Sequence, residues 1–390
     1  MRSLNGARWR LTFPDLAWPI AAATVMIGLV GSTARSQTAG PRFVKEVEFV
    51  HELVTVTGVR ELSDRTILVG DRSEKTVFLV ARADRQGRAI LTRGGGPGEV
   101  MSLSEMVAAS ADSTLIYDSA QQRVLVLAGS RVARTFLQMD APWKNEFDFP
   151  MAVDNAGNSY GLRAKASAIR KGPINPGKLS VYAADSADMV MLSKGSTAGR
   201  VLFTIRGAFT ASNMKVKTIA GMTSYYHLTA LLDRPDLAAV CADGSVLHAD
   251  TREGRVSWWR AGQRIAAASH PFARPPVTQA LKRLAIVESQ GAKNAVFFSP
   301  EEYPPWPARM PAFDKNGAWC LPSSDAILEG NVDATGARPM YFVSKTGTVS
   351  PIRGVPPRAK VVGVGASGVY LAMESEDGLV TIARYQLAER

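Results

Sequence analysis

From Val44 onward the chain repeats one rhythm. Short runs that alternate apolar with polar residues, or stay apolar throughout, are broken by clusters of Asp, Asn, Gly and Ser. The segment from Met106 to Phe136 shows it most clearly: MVAAS, TLIYD, RVLVL and RVARTF, with breaks at Ala111–Ser113, Ser119–Gln122 and Ala128–Ser130. A two-residue alternation puts successive side chains on opposite faces of a strand, and the breaks hold residues that bond their own backbone in turns. Four antiparallel strands in about 30 residues make one blade of a β-propeller, a unit that recurs every 40–50 residues or so.

The unit recurs at Val59–Thr92, Met151–Leu192 (with an insertion at 165–177), Leu237–Ser269, Pro311–Gly354 and Lys360–Leu387. Its first turn reads Ser63–Asp64, Ala111–Asp112, Asp154–Gly157, Asp243–Gly244, Asp314–Gly317 and Ser367–Gly368, which makes six units. The last unit has only three strands, and Val44–Leu53 is a spare strand before the first. Pairing the two closes the ring and removes the open sheet edges that invite aggregation. The expectation is an all-β, six-bladed propeller over residues 44–388, its last blade closed by the N-terminal strand.

The first 34 residues follow another pattern. Arg2, Arg8 and Arg10 precede the apolar stretch Leu16–Val30, and Gly31–Ala34 supplies small residues. This is the layout of a secretory signal peptide, and the stretch is shorter than the roughly 20 residues of a membrane span. Residues 1–34 are therefore read as a signal peptide and 35–43 as a linker. The expected location is periplasmic or secreted, with no membrane span after signal removal.

Composition changes this picture little. The 390 residues carry a net charge of +11 and are 46% apolar. Lys and Arg are spread along the chain, so the basic balance is no nucleic-acid footprint. Two cysteines, Cys241 and Cys320, and four scattered histidines lack zinc-ligand spacing. Both cysteines sit in apolar strand patterns and read as buried free thiols, with a disulfide permitted in an oxidising compartment.

The loop GGGPGE, Gly94–Glu99, raises the question of phosphate binding. No Lys-Ser/Thr pair follows it, and Glu99 stands where a dinucleotide fingerprint wants its last glycine. It reads instead as the joint that carries the chain from the outer strand of one blade to the inner strand of the next, where glycines allow close approach and Pro97 fixes a φ angle. An anion-binding nest is the other reading.

Gly94–Glu99, the D-x-x-x-x-R-V segment Asp118–Val124, and the ending GVYLAMESEDGLVTIARYQL resemble the secreted six-bladed β-propellers of bacteria related to NHL-repeat and TolB-like proteins. The resemblance spans roughly residues 44–388. It implies the fold and little chemistry.

Two segments interrupt the blades. Residues 195–227 carry Arg206, Lys215, Lys217, Tyr225 and Tyr226 and no acid. They read as an extra hairpin or long connection, or as a basic-aromatic binding loop. Residues 270–309 open with a short amphipathic helix capped by Thr278, then a proline-rich strap with Trp306. Arg206, Tyr225, Tyr226 and Trp306 are the candidate ligand-binding residues.

No G-x-S-x-G elbow is present. The expected function is a monomeric, non-enzymatic binding or scaffolding module without cofactor, its partner a protein, peptide or glycan. The alternative is a metal-dependent lactonase- or esterase-type hydrolase with Ca²⁺ in the central channel. A hard cation needs several oxygen ligands, and Glu61, Glu105, Asp148 and Asp314, with Asp154 and Asp236, are the carboxylates near predicted inner-strand ends.

Overall fold

The computed structural model describes residues 40–388, apart from 54, 82–86, 111, 166–178, 184–185, 207–208, 220–221, 230–234, 270–271, 273, 284, 287–299, 301–305, 332–336 and 376–377. The signal-peptide reading lies outside these residues.

The chain is a six-bladed β-propeller. Each blade is built on an antiparallel sheet: in blades 2 to 5 the strands follow sequence order across the sheet, blade 1 adds the short parallel strand Glu99–Val100 at its edge, and blade 6 takes its outermost strand from the start of the propeller. In blade 2 they are Leu103–Ala108, Ser113–Asp118, Arg123–Ala128 and Arg131–Leu137, and the sequence pattern anticipates all four. Blade 6 contributes Ala359–Gly365, Gly368–Glu374 and Val380–Ala388, and the N-terminal strand Arg42–Leu53 pairs antiparallel with the last of these. The ring closes as expected.

Apolar side chains gather in six clusters, one in each space between neighbouring blades. Leu62, Leu68 and Val77 of blade 1 meet Leu103, Ile116 and Leu125 of blade 2. Val362, Tyr370 and Ile382 of blade 6 meet Val59, Ile67 and Val69 of blade 1. A second strand is covered on both faces. That is why Ile67–Asp71 and Ala326–Gly330 are buried throughout and do not alternate.

The topology separates two faces. The turn face carries the turns between first and second strands and between third and fourth strands. The connector face carries the other turns and the blade-to-blade joints. The GGGPGE joint belongs to the connector face, and its Glu99 carboxylate accepts a hydrogen bond from its own Gly96 N–H at 2.6 Å. The carboxylate thus fills the place an anion would take. Gly98 holds φ +78°, a conformation costly for other residues. The D-x-x-x-x-R-V segment secures the joint. Asp118, fully buried, accepts from the Met101 and Ser102 amides at 3.1 and 3.0 Å, and Arg123 donates to Asp118, to the Gly95 carbonyl and to the Glu99 carbonyl.

Three readings are corrected. Arg200–Arg206 is the outer strand of blade 3 and not part of a long connection. The hairpin Phe209–Ile219 and Met222–Thr229 pairs instead with Leu179–Ala183 in an accessory three-stranded sheet. Asp314–Gly317 is no turn. It lies inside the inner strand Phe313–Cys320 of blade 5, at a shift of register, and the first turn is at Leu321–Asp325. Finally, Cys241 and Cys320 are joined as a disulfide. They stand at the turn-face ends of the inner strands of blades 4 and 5, equivalent positions in successive units. Their Cα atoms are 5.2 Å apart, within bridging distance. The helix after Thr278 is present over residues 279–283 and 285–286, its Leu281 amide donating to the Thr278 hydroxyl at 3.3 Å.

Candidate functional site

The turn face is laced from blade to blade. The Ser367 amide of blade 6 donates to Glu61 of blade 1 at 3.0 Å. The amide and hydroxyl of Ser63 in blade 1 donate to Asp112 of blade 2, both at 2.7 Å. The Asn155 amide of blade 3 donates to the Ala242 carbonyl of blade 4 at 2.8 Å, and the disulfide ties blade 4 to blade 5. Between blades 5 and 6 the same face opens into a cleft of about 990 Å³.

This cleft is lined by six hydroxyls: Ser323, Ser344, Thr346, Thr348, Ser350 and Ser367. Thr346, Thr348 and Ser350 alternate along SKTGTVSP, where a chain entering the outer strand Val349–Pro351 sends every second side chain one way. Phe342 supplies an aromatic surface, and Gly40 and Pro41 form a wall where the N-terminal strand passes blade 5. Three of the four charged groups are engaged with one another or with the cleft's own turns, and the fourth, the exposed Arg65, reaches the lining from the first turn of blade 1. Arg384 is 2% exposed and donates to Glu46 at 2.7 Å and to Ser367 at 2.9 Å. Gln386 donates to the other oxygen of Glu46 at 2.7 Å. Asp325 accepts from the Lys345 amide at 3.0 Å and from the Ser323 hydroxyl at 2.9 Å. Both carboxylates therefore orient the cleft, and neither faces a histidine or cysteine among its lining residues.

The sequence reasoning passed over this cleft. Its lining comes from three blades, and the signal it could have used was the Ser/Thr alternation at Ser344–Ser350.

The residues singled out from sequence lie elsewhere. Arg206 ends the outer strand of blade 3. It donates to Thr251 at 2.8 Å and approaches Asp236 at 3.5 Å. Burial works against ionisation of Asp236, but His248 at 3.2 Å, the Arg206 amide and its guanidinium outweigh it and hold the carboxyl below its usual range. Tyr225 and Tyr226 lie on Met222–Thr229, opposite Val216 and Lys215. Trp306 donates its indole N–H to the Pro300 carbonyl at 2.8 Å, and the Lys282 ammonium lies 5.8 Å from its ring centre.

The carboxylates of the metal reading fall into different places. Glu61 is at the turn-face end of blade 1, accepting from Ser367. Asp154 caps its own turn, accepting from Asn158 and Tyr160. Asp314 pairs with Arg338, which also stands 3.6 Å from Glu329. Glu105 and Asp148 share a connector-face cavity between blades 2 and 3. Among the described residues, no three His, Cys, Asp or Glu are grouped to hold a metal ion. These residues do not assemble a cation cage of the six to eight or so oxygens that Ca²⁺ takes.

No family model matches the chain, and no curated protein matches it in sequence. Its fold is similar to that of the PQQ-bound aldose sugar dehydrogenase from Streptomyces coelicolor: 9% identity, TM-score 0.43, covering 90% of this chain and 99% of that one. It is also similar to a member of the DUF4221 family from Bacteroides vulgatus: 7% identity, TM-score 0.40, covering 91% and 100%. The WD40 propeller domain of Doa1 gives 13% identity and TM-score 0.40, covering 87% and 96%. Among the described residues, no helix is long and apolar enough to cross a membrane.

Proposed function

We propose that this chain is an extracytoplasmic, non-enzymatic binding module that takes a neutral oligosaccharide in the cleft between blades 5 and 6. The observation that carries the reading is the cleft itself: about 990 Å³, six hydroxyls, one aromatic face, and an ion pair held in place beneath. Hydroxyls both donate and accept, which suits a ligand made of hydroxyls. The volume is at the upper end of small-ligand sites, roughly 300–1,000 Å³. The leader-like residues 1–34 and the disulfide both support an oxidising compartment outside the cytoplasm. The propeller supplies a rigid frame, which limits the ordering cost of binding.

Titration calorimetry with a panel of neutral oligosaccharides tests this. Saturable binding by a member of the panel is expected, and Thr348→Trp, at an exposed position in the lining, abolishes it without changing the melt. Binding of extended peptides but no sugar would move the cleft to peptide recognition. Sugar binding that Thr348→Trp leaves untouched would remove the cleft from the reading.

A further inference from the structure

The cavity of about 560 Å³ on the connector face has a different chemistry. It lies between blades 2 and 3 and is lined by Glu105, Tyr117, Gln138, Asp148, Phe149, Met151 and Leu162. Glu105 follows a shift of register in the inner strand of blade 2, between Leu103 and Glu105. Such a bulge re-aims side chains. Asp148 comes from the connector into blade 3. Tyr117 and Phe149 stack, ring centres 5.2 Å apart and planes 19° apart. The wall is locked: the Tyr117 hydroxyl donates to Gln138 at 2.6 Å, and the Gln138 amide donates to the Asp148 carbonyl at 3.1 Å. Leu162 is 40% exposed although it sits on the second strand of its blade, where the equivalent residues are buried.

Two carboxylates, a stacked aromatic pair and an exposed leucine form one cavity with no cation in its lining. Arg72 stands near Glu105 and donates to the Ser104 carbonyl at 2.9 Å. Desolvation outweighs the charge of Arg72 and raises the Glu105 carboxyl above its usual range. Burial, then the charges of Asp148 and Glu105, raise the Tyr117 hydroxyl, so the carboxylates and the ring act on the same space. A hydrated hard cation gains nothing from aromatic and aliphatic walls. A flat organic cation gains from both, stacking on the rings while its N–H groups face the carboxylates.

We propose that this cavity binds an organic cation, and that a guanidinium group is the form it fits. The group can arrive free or on an arginine side chain of a peptide. The site is independent of the oligosaccharide cleft, which lies on the other face.

The test is calorimetry at low ionic strength, where charge attraction is least screened. Agmatine represents the free cation, Gly-Arg-Gly the peptide-borne one, and Gly-citrulline-Gly the neutral isostere. Trp143, whose ring lies 6.2 Å from Phe149, gives a parallel fluorescence readout. Saturable binding of agmatine or Gly-Arg-Gly is expected, with none by the citrulline peptide. The double exchange Glu105→Gln with Asp148→Asn weakens it about ten-fold or more. An unchanged melt verifies that the variant is folded. Tighter binding of the tripeptide than of agmatine marks a peptide partner, and the reverse marks a small metabolite. No binding of either probe, equal binding of the citrulline peptide, an unaffected double variant, or displacement by millimolar Ca²⁺ would overturn the proposal.

Discussion

Glu329 shows what one residue costs this fold. It is fully buried on the second strand of blade 5, beside Arg338 and accepting from the Trp319 indole at 2.9 Å. Burial pushes its carboxyl up to about 7, against the pull of Arg338 and Trp319. In the unfolded chain a glutamate ionises near about 4.3. Between those values the folded state holds the proton and the unfolded state releases it. Stability from this group is therefore complete below the lower value and is lost as pH rises through the upper one. Glu329→Gln keeps an acceptor for Trp319 and removes the titration. Relative to that variant, the natural chain should lose about 3 kcal/mol between pH 4.5 and 7. Urea midpoints of both proteins at the two ends of the window check this. An equal difference at both ends would mean that Glu329 does not titrate there.

At the scale of elements, what matters is how blades are joined. The disulfide spans a sequence separation of 79 and fastens the inner strands of blades 4 and 5. Closing a loop of that length restricts the unfolded chain by about 4 kcal/mol. Reduction, or replacement of both cysteines by serine, should lower the thermal midpoint by several degrees while the circular dichroism of the sheets is retained. An unchanged midpoint on reduction would show that the bond contributes nothing to stability. The sequence permitted the bond without selecting it. Reading Asp314–Gly317 as the first turn of its unit displaced Cys320 from the position equivalent to Cys241. A real turn needs the strand to end. Here Ala326–Gly330, buried throughout, draws Phe313–Cys320 past the Asp-Lys-Asn-Gly sequence as a bulged strand. Pairing along a buried strand outweighs local turn preference. The outer strand of blade 3 was missed in a similar way, because Arg200–Arg206 is judged by its partner strand Ser186–Leu192 and not by its own pattern.

For the whole molecule the decisive contact is the pairing of Arg42–Leu53 with Val380–Ala388. A variant lacking residues before 54 should leave the edge of the last strand bare. Such an edge recruits other chains, so size-exclusion chromatography should show larger species for the truncated chain than for the intact one. A monodisperse, cooperatively melting truncation would mean that closure is dispensable. The repeat of short alternating runs, the count of six units and the leftover strand were all legible in the amino-acid order, because they follow from side-chain periodicity and from the cost of an open edge. The joint Gly94–Glu99 was legible too, since its residues are chosen by backbone conformation. The cleft between blades 5 and 6 and the cavity between blades 2 and 3 were not. Each takes its lining from more than one blade, and nothing local marks Phe342 and Ser367, or Glu105 and Asp148, as neighbours. Local chain chemistry determined the repeat, most of its strands and turns, and the closed ring. Only the packing of blade against blade decided which cysteines meet, which carboxylates are spent on pairs, and where the surface opens, because those distances arise from closing the ring and not from spacing along the chain.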